Sequence, residues 1–269
     1  MRKIIKITAF SFVLMTLLCL FASCRDQKPK KEVFQIFKEY DDVDFDVDEY
    51  IEKSKKSGKY IADSAFLSAT DKTDGKLKEF MISIDKEIAI WGVVYDSVES
   101  AQNAYPIFIG IESWPCRSPY LSIVRINNVI LGGRSDLYLN SFKYELENIL
   151  HSSVDDGMHE LLFDSTEVIR YDKDKSVDEI VGAFKGKGYD RVYYYGNDLV
   201  SYKFLNKSDQ VLELCIYKEN ENKDNNMTYE ELLSLWEEIY KNAKIVYSYK
   251  NGLLIAVIGV TVDPEPLLK

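Results

Sequence analysis

Val47-Asp48-Glu49-Tyr50-Ile51, with Gly58 seven residues further on, stands against Val177-Asp178-Glu179-Ile180-Val181, with Gly188 at the same distance. The offset is 130 residues at both ends of the match. Each copy opens on acidic residues, continues with an apolar helical spacing and stops at a glycine. Each therefore reads as a helix with a charged first turn and a Gly terminus.

The order of the later elements is also kept. In the first half, 80–84 and 88–95 are strand-like around Asp85-Lys86. Ser97 opens a helix that Pro106 should limit, and 120–126 with 129–131 flank Asn127-Asn128 as a hairpin. In the second half, 200–204 and 211–217 are strand-like, and 228–240 is a helix with Glu231 at capping-box spacing from Thr228. There 245–249 and 253–260 flank Asn251-Gly252, a pair suited to a tight hairpin turn. The expectation is an α+β protein of two tandem similar modules, each an antiparallel sheet with packed helices and a closing β-hairpin. The modules are expected at 41–134 and 176–269. A helical connector at 135–175 lies between them, and its stripe of Leu137, Leu139, Phe142, Leu146, Ile149 and Leu150 would pack the modules together.

Composition narrows the class. Of 269 residues, 46% are hydrophobic and 29% charged, too apolar for a disordered chain. A net charge of -10 argues against a nucleic-acid partner, which needs a basic surface. Four Cys and two His leave little for a zinc cluster or a disulfide framework.

The first residues carry a separate message. Arg2, Lys3 and Lys6 form a positive start, 7–21 is an apolar run, and small residues precede Cys24. These are the parts of an export signal, and the run is short of the roughly 20 residues a spanning helix needs. Leu20-Phe21-Ala22-Ser23-Cys24 resembles the lipobox of bacterial lipoproteins, with Phe21 where leucine is usual. The resemblance implies a signal peptide over 1–23, diacylation of the Cys24 thiol, fatty acylation such as palmitate at the new amine, and a lipidated tether over 24–40. It implies a lipid-anchored, extracytoplasmic place on a cell membrane or outer membrane. Loss of 1–23 removes three cationic side chains and moves the formal charge from -10 to -13.

Candidate chemistry is sparse. Asp42, Asp44, Asp46 and Asp48 alternate as calcium ligands can, but neither Asp42 nor Asp44 starts an EF-hand register; a solvated acidic lead-in to the first helix explains the same residues. His159-Glu160 lacks the second histidine of a zinc-protease motif, and His151 and His159 read as surface residues. No Gly-x-Gly-x-x-Gly, P-loop or Gly-x-Ser-x-Gly sequence occurs. A disulfide between Cys116 and Cys215 would clamp the modules, while Cys215 equally reads as a small core residue. Trp114, in a loop bounded by Pro115 and Pro119, is the candidate interaction residue. In Tyr193-Tyr194-Tyr195, Tyr194 should face away from its neighbours.

With no complete catalytic set and no cofactor motif, the expected role is a non-catalytic binding module. Its partner would be an envelope protein or a small ligand, and it would meet the membrane through its lipid. An envelope hydrolase with a scattered carboxylate site, or a structural spacer, is the alternative.

Overall fold

Asp46 and Ser176, also 130 residues apart, begin the two matching helices in the same way. The Asp46 carboxylate accepts from the backbone N–H groups of Asp48 and Glu49 at 2.9 and 3.1 Å, and Ser176 forms a capping box with Glu179. The helices, α1 (Val47–Lys56) and α4 (Val177–Gly186), end alike too. Lys59 N–H donates to Ser54 O and Tyr189 N–H to Phe184 O, over Gly58 and Gly188 at φ 84° and 87°. Only glycine adopts that conformation without strain, which is why it stops both helices.

The computed structural model describes residues 31–63, 67, 69–84, 87–112, 121–134, 141–171, 175–196, 199–219, 227–240 and 242–269. Glu32–Lys269 is one compact unit. The strands are β1 (Glu32–Phe34), β2 (Phe37–Tyr40), β3 (Tyr60–Ala62), β4 (Lys76–Ile84), β5 (Glu87–Tyr95), β6 (Leu121–Ile126) and β7 (Val129–Arg134). They continue as β8 (Met158–Glu160), β9 (Glu167–Arg170), β10 (Arg191–Gly196), β11 (Leu199–Leu205), β12 (Val211–Lys218), β13 (Lys244–Lys250) and β14 (Leu253–Gly259). The other helices are α2 (Val98–Glu112), α3 (Ser141–Leu150), α5 (Tyr229–Ile239) and α6 (Glu265–Leu268).

The protein is α+β, and its two modules share one topology. The first sheet runs β2-β6-β7-β5-β4-β3 and the second β9-β13-β14-β12-β11-β10. All neighbours are antiparallel except β2 with β6 and β9 with β13. Each module thus gains a short first strand that pairs in parallel and lies N-terminal to the expected starts at 41 and 176. Four residues beside a polar stretch give too little alternation to be seen. The closing hairpins turn at Asn127-Asn128 and at Asn251-Gly252, with Asn127, Asn251 and Gly252 on positive φ.

Both faces of each sheet are covered. In the first module α1 and α3 lie on one face, with Ile51, Phe142, Leu146 and Ile149 buried, and α2 lies on the other. In the second, α4 and α6 share one face and α5 covers the other, with Leu232, Leu233 and Trp236 buried. Trp236 is a core residue, fully enclosed.

Two expectations are corrected. The stripe of α3 does not pack the modules together. It lies on the first module's own sheet, where Gly133 leaves space for the Phe142 ring. Nor does Pro106 end α2, which continues to Glu112. Pro106 and Gln102 both sit on the exposed side, so the carbonyl deprived of its donor faces water.

Helix α2 joins the modules instead. Phe108 and Ile109 share a core with Leu205 and Val211 of the second sheet, and Gly110 lets the Tyr194 carbonyl approach. Residues 33–37 complete the seam. Val33 enters the core under α5, Phe34 and Ile36 the core under α1 and α3, and Phe37 the shared core.

Candidate functional site

Where strand β2, the turn before β8 and the β11–β12 turn meet, a cleft of about 510 Å³ opens between the modules. Its size lies in the range of small-molecule sites, but its lining is polar rather than apolar.

One wall is the turn 206–210. The Asn206 side-chain oxygen accepts from the N–H groups of Ser208 and Gln210 at 2.9 and 3.0 Å, folding the turn on itself. Asp209, at φ 60° and only 2% exposed, is ion-paired to Arg191. Arg191 also donates to Asn206 O at 2.6 Å and, across the module boundary, to Phe37 O at 3.1 Å.

The other wall is 155–159. Gly157 at φ 91° accepts from the Gln35 N–H at 2.7 Å and lies so close to the Gln35 carbonyl that a Cβ would meet it at 2.9 Å. Asp156 pairs with Lys38 of β2. Asp155 and Lys207 stand exposed on opposite walls.

His159 is buried, contrary to the surface position expected for it, because β8 pairs with β1 and places it opposite Val33. Its Nε2 has no hydrogen-bond partner among the described residues. Burial pushes its pKa below the ordinary value of 6.5, against the opposing pull of a Gln35 backbone hydrogen bond and Asp209. His151 is exposed at φ 52° just beyond α3.

Beneath the seam lies a buried ion pair. Lys203 Nζ is 3.0 Å from Glu213, whose second oxygen accepts from the Tyr240 hydroxyl at 2.6 Å. The ammonium also sits 5.5 Å from the centre of the Phe37 ring. Burial pulls the Lys203 pKa down and Glu213 pulls it back up. Lys203 and Ser201 occupy the polar phase of β11, which reads as a solvent side in the sequence; α5 and residues 33–37 cover it. Arg125, 1% exposed, is neutralised by Glu39 and Asp41 at 2.6 and 2.8 Å. Its hydrogen bond to Asp41 is the main reason that carboxyl titrates below the usual range.

The residues singled out from sequence fall elsewhere. Cys24, Trp114 and Cys116 lie outside the described residues. Cys215 is fully buried on β12 beneath α5, in the core that holds Trp236. Asp46 caps α1, Asp48 pairs with Lys78, and Asp42 and Asp44 are exposed. Among the described residues no three His, Cys, Asp or Glu side chains gather to hold a metal. Compared with protein-family models, curated proteins and solved structures, the chain matches none.

Proposed function

We propose that the chain is a lipid-anchored extracytoplasmic lipoprotein whose two-module body is a non-catalytic binding module. The observation that carries the binding reading is the cleft. It is open, polar and of ligand size, and two of its carboxylates are already neutralised, Asp156 by Lys38 and Asp209 by Arg191. The exposed Asp155 and Lys207 offer one charge of each sign to a small polar ligand or to an envelope protein. The anchoring half of the reading rests on Leu20-Phe21-Ala22-Ser23-Cys24. Two or three acyl chains give the stable attachment that one does not.

A photo-crosslinking residue placed at the exposed Ser208 in native cells tests both halves, with Cys24→Ala as the control. The expected result is one stoichiometric adduct in the membrane fraction that is lost with Cys24→Ala. A chain with no lipid on Cys24 would overturn the anchoring. A lipidated chain with no adduct would overturn the cleft as the binding site.

A further inference from the structure

Most of the charge around the cleft is already engaged, and what remains is divided between its walls. Asp156 is ion-paired to Lys38 and Asp209 to Arg191. Asp155 and Lys207 are exposed, and neither is ion-paired among the described residues. Asp155 stands on the 155–159 wall and Lys207 on the turn opposite. His159 adds a second acceptor to the Asp155 wall. It is 8% exposed, and burial keeps the ring neutral at neutral pH. Its bond to the Gln35 backbone favours the protonated ring, so the ring donates that bond to a carbonyl. Nε2, which has no partner among the described residues, is the nitrogen left to accept. The facing turn carries donors instead. The Asn206 side chain holds the N–H groups of Ser208 and Gln210, and the Asn206 carbonyl holds that of Asp209. The Lys207 ammonium and the Ser208 hydroxyl remain. One wall accepts and the other donates.

We infer that the cleft binds a short peptide in its zwitterionic form, the free amine on Asp155 of one wall and the carboxylate on Lys207 of the other. The inference rests on the reading of the cleft as the binding site and names the chemistry of its ligand. A ligand with one charge of each sign matches the two that the protein leaves unengaged. Opposite walls of a cleft of about 510 Å³ do not suit a free amino acid, whose ammonium and carboxylate are held on one carbon. They suit two ends separated by peptide units, each residue adding up to about 3.5 Å of reach. Met158 is the one apolar side chain among the described residues of the lining. Recognition therefore falls on the ends and the amides of the peptide, not on its side chains, and an unsatisfied buried acceptor such as His159 Nε2 calls for a donor or a water brought to that wall.

The probe is triglycine, titrated by isothermal calorimetry into detergent-solubilised full chain. Saturable binding is expected. Removing either charge from the peptide, as N-acetyl-triglycine or triglycine amide, should weaken it about fivefold, and so should Asp155→Asn or Lys207→Gln in the protein. The pairing of losses reads the orientation. Asp155→Asn should no longer distinguish triglycine from its N-acetyl form and should still distinguish it from the amide; Lys207→Gln should do the reverse. Both side chains are exposed, so thermal unfolding of the variants should match that of the unaltered chain. Lys185→Gln, an exposed cation of α4, should leave binding unchanged. No saturable binding, or binding indifferent to Asp155→Asn and Lys207→Gln, overturns the inference. Glycine bound as tightly as triglycine would overturn the peptide and put a free amino acid in its place. An adduct at Ser208 in native cells with no binding of triglycine sinks the peptide alone; failure of both sinks the cleft as the binding site.

Discussion

Arg191 in the second module donates through Nη1 to the carbonyl oxygen of Phe37 in the first, at 3.1 Å, while Nη2 holds Asn206 O and Asp209. One guanidinium thus fastens a turn of one module to a strand of the other. The fork geometry needed for three acceptors belongs to arginine and not to lysine.

Replacing Arg191 with methionine should therefore loosen the seam and leave the buried Asp209 without its ion-pair partner. Arg191 is about one-third exposed, so water replaces part of what is lost. A destabilisation of about 2 kcal/mol is expected in denaturant unfolding. A change below a few tenths would refute the fastening role.

Lys203→Met should cost about 3–5 kcal/mol, since Glu213 would remain buried with only the Tyr240 hydroxyl. The double variant Lys203→Met with Glu213→Leu should recover most of that loss, because it removes both desolvated charges together. A double-mutant cycle showing simple additivity would mean that the pair is not coupled.

His159 gives the body an acid-sensitive term. Its folded pKa is lowered from the ordinary 6.5, so the unfolded chain binds the proton more readily. Stability from this group is complete above 6.5 and is lost as pH falls below that value toward the lowered one. Asp209 is the charge that bears on it and opposes the shift. Thermal unfolding from pH 7.5 to 5 should fall less steeply in His159→Leu than in the unaltered chain; equal slopes would sink the assignment.

At Tyr249 the sign is reversed. The Glu219 carboxylate that accepts its hydroxyl raises the phenol from 10.0 to about 12. Stability from this contact is present below pH 10 and is lost as pH climbs from 10 toward 12. Burial also raises Tyr50 and Tyr105, so the test is a difference: the absorbance titration of Glu219→Gln should lose one phenol's worth of change near 12 and gain it near 10 relative to the unaltered chain. Superimposable titrations of the two chains would refute the contact.

Gly133→Ala places a methyl 2.3 Å from Cδ2 of Phe142. Phe142 is 1% exposed and has nowhere to retreat, so about 1–3 kcal/mol should be lost, with α3 loosened from its sheet. Hydrogen exchange that speeds up in 141–150 and not in α4 would locate the effect; uniform exchange would contradict it.

Much of the fold was legible because local rules decided it. The Gly58 and Gly188 stops, the Thr228 cap and the Asn251-Gly252 turn depend on neighbours in the chain, and all lie where their sequences place them. Strands β2 and β9 were not legible, since four residues carry no period of their own and are held by a distant parallel partner. Pro106 misled because a rule about backbone donors does not know which side of a helix is wet. The cleft was hidden for a different reason. Lys38, Asp156, Arg191 and Asp209 come from four separate stretches, and no spacing between them exists in the sequence. Lys203 showed only as a polar alternate of β11, with nothing to announce that the face would be covered.

Residues 33–37 add a mechanical consequence. All five are at most 4% exposed, they enter three separate cores, and their ribbon partner β8 is only three residues long. Any pull on the chain before Glu32 reaches the body at the seam, through the β1–β8 ribbon, and passes from Phe37 into strand β2 at the edge of the first sheet. Tension from that side works first on the five side chains that rivet the modules together, and on the first sheet only through the edge strand that Phe37 begins.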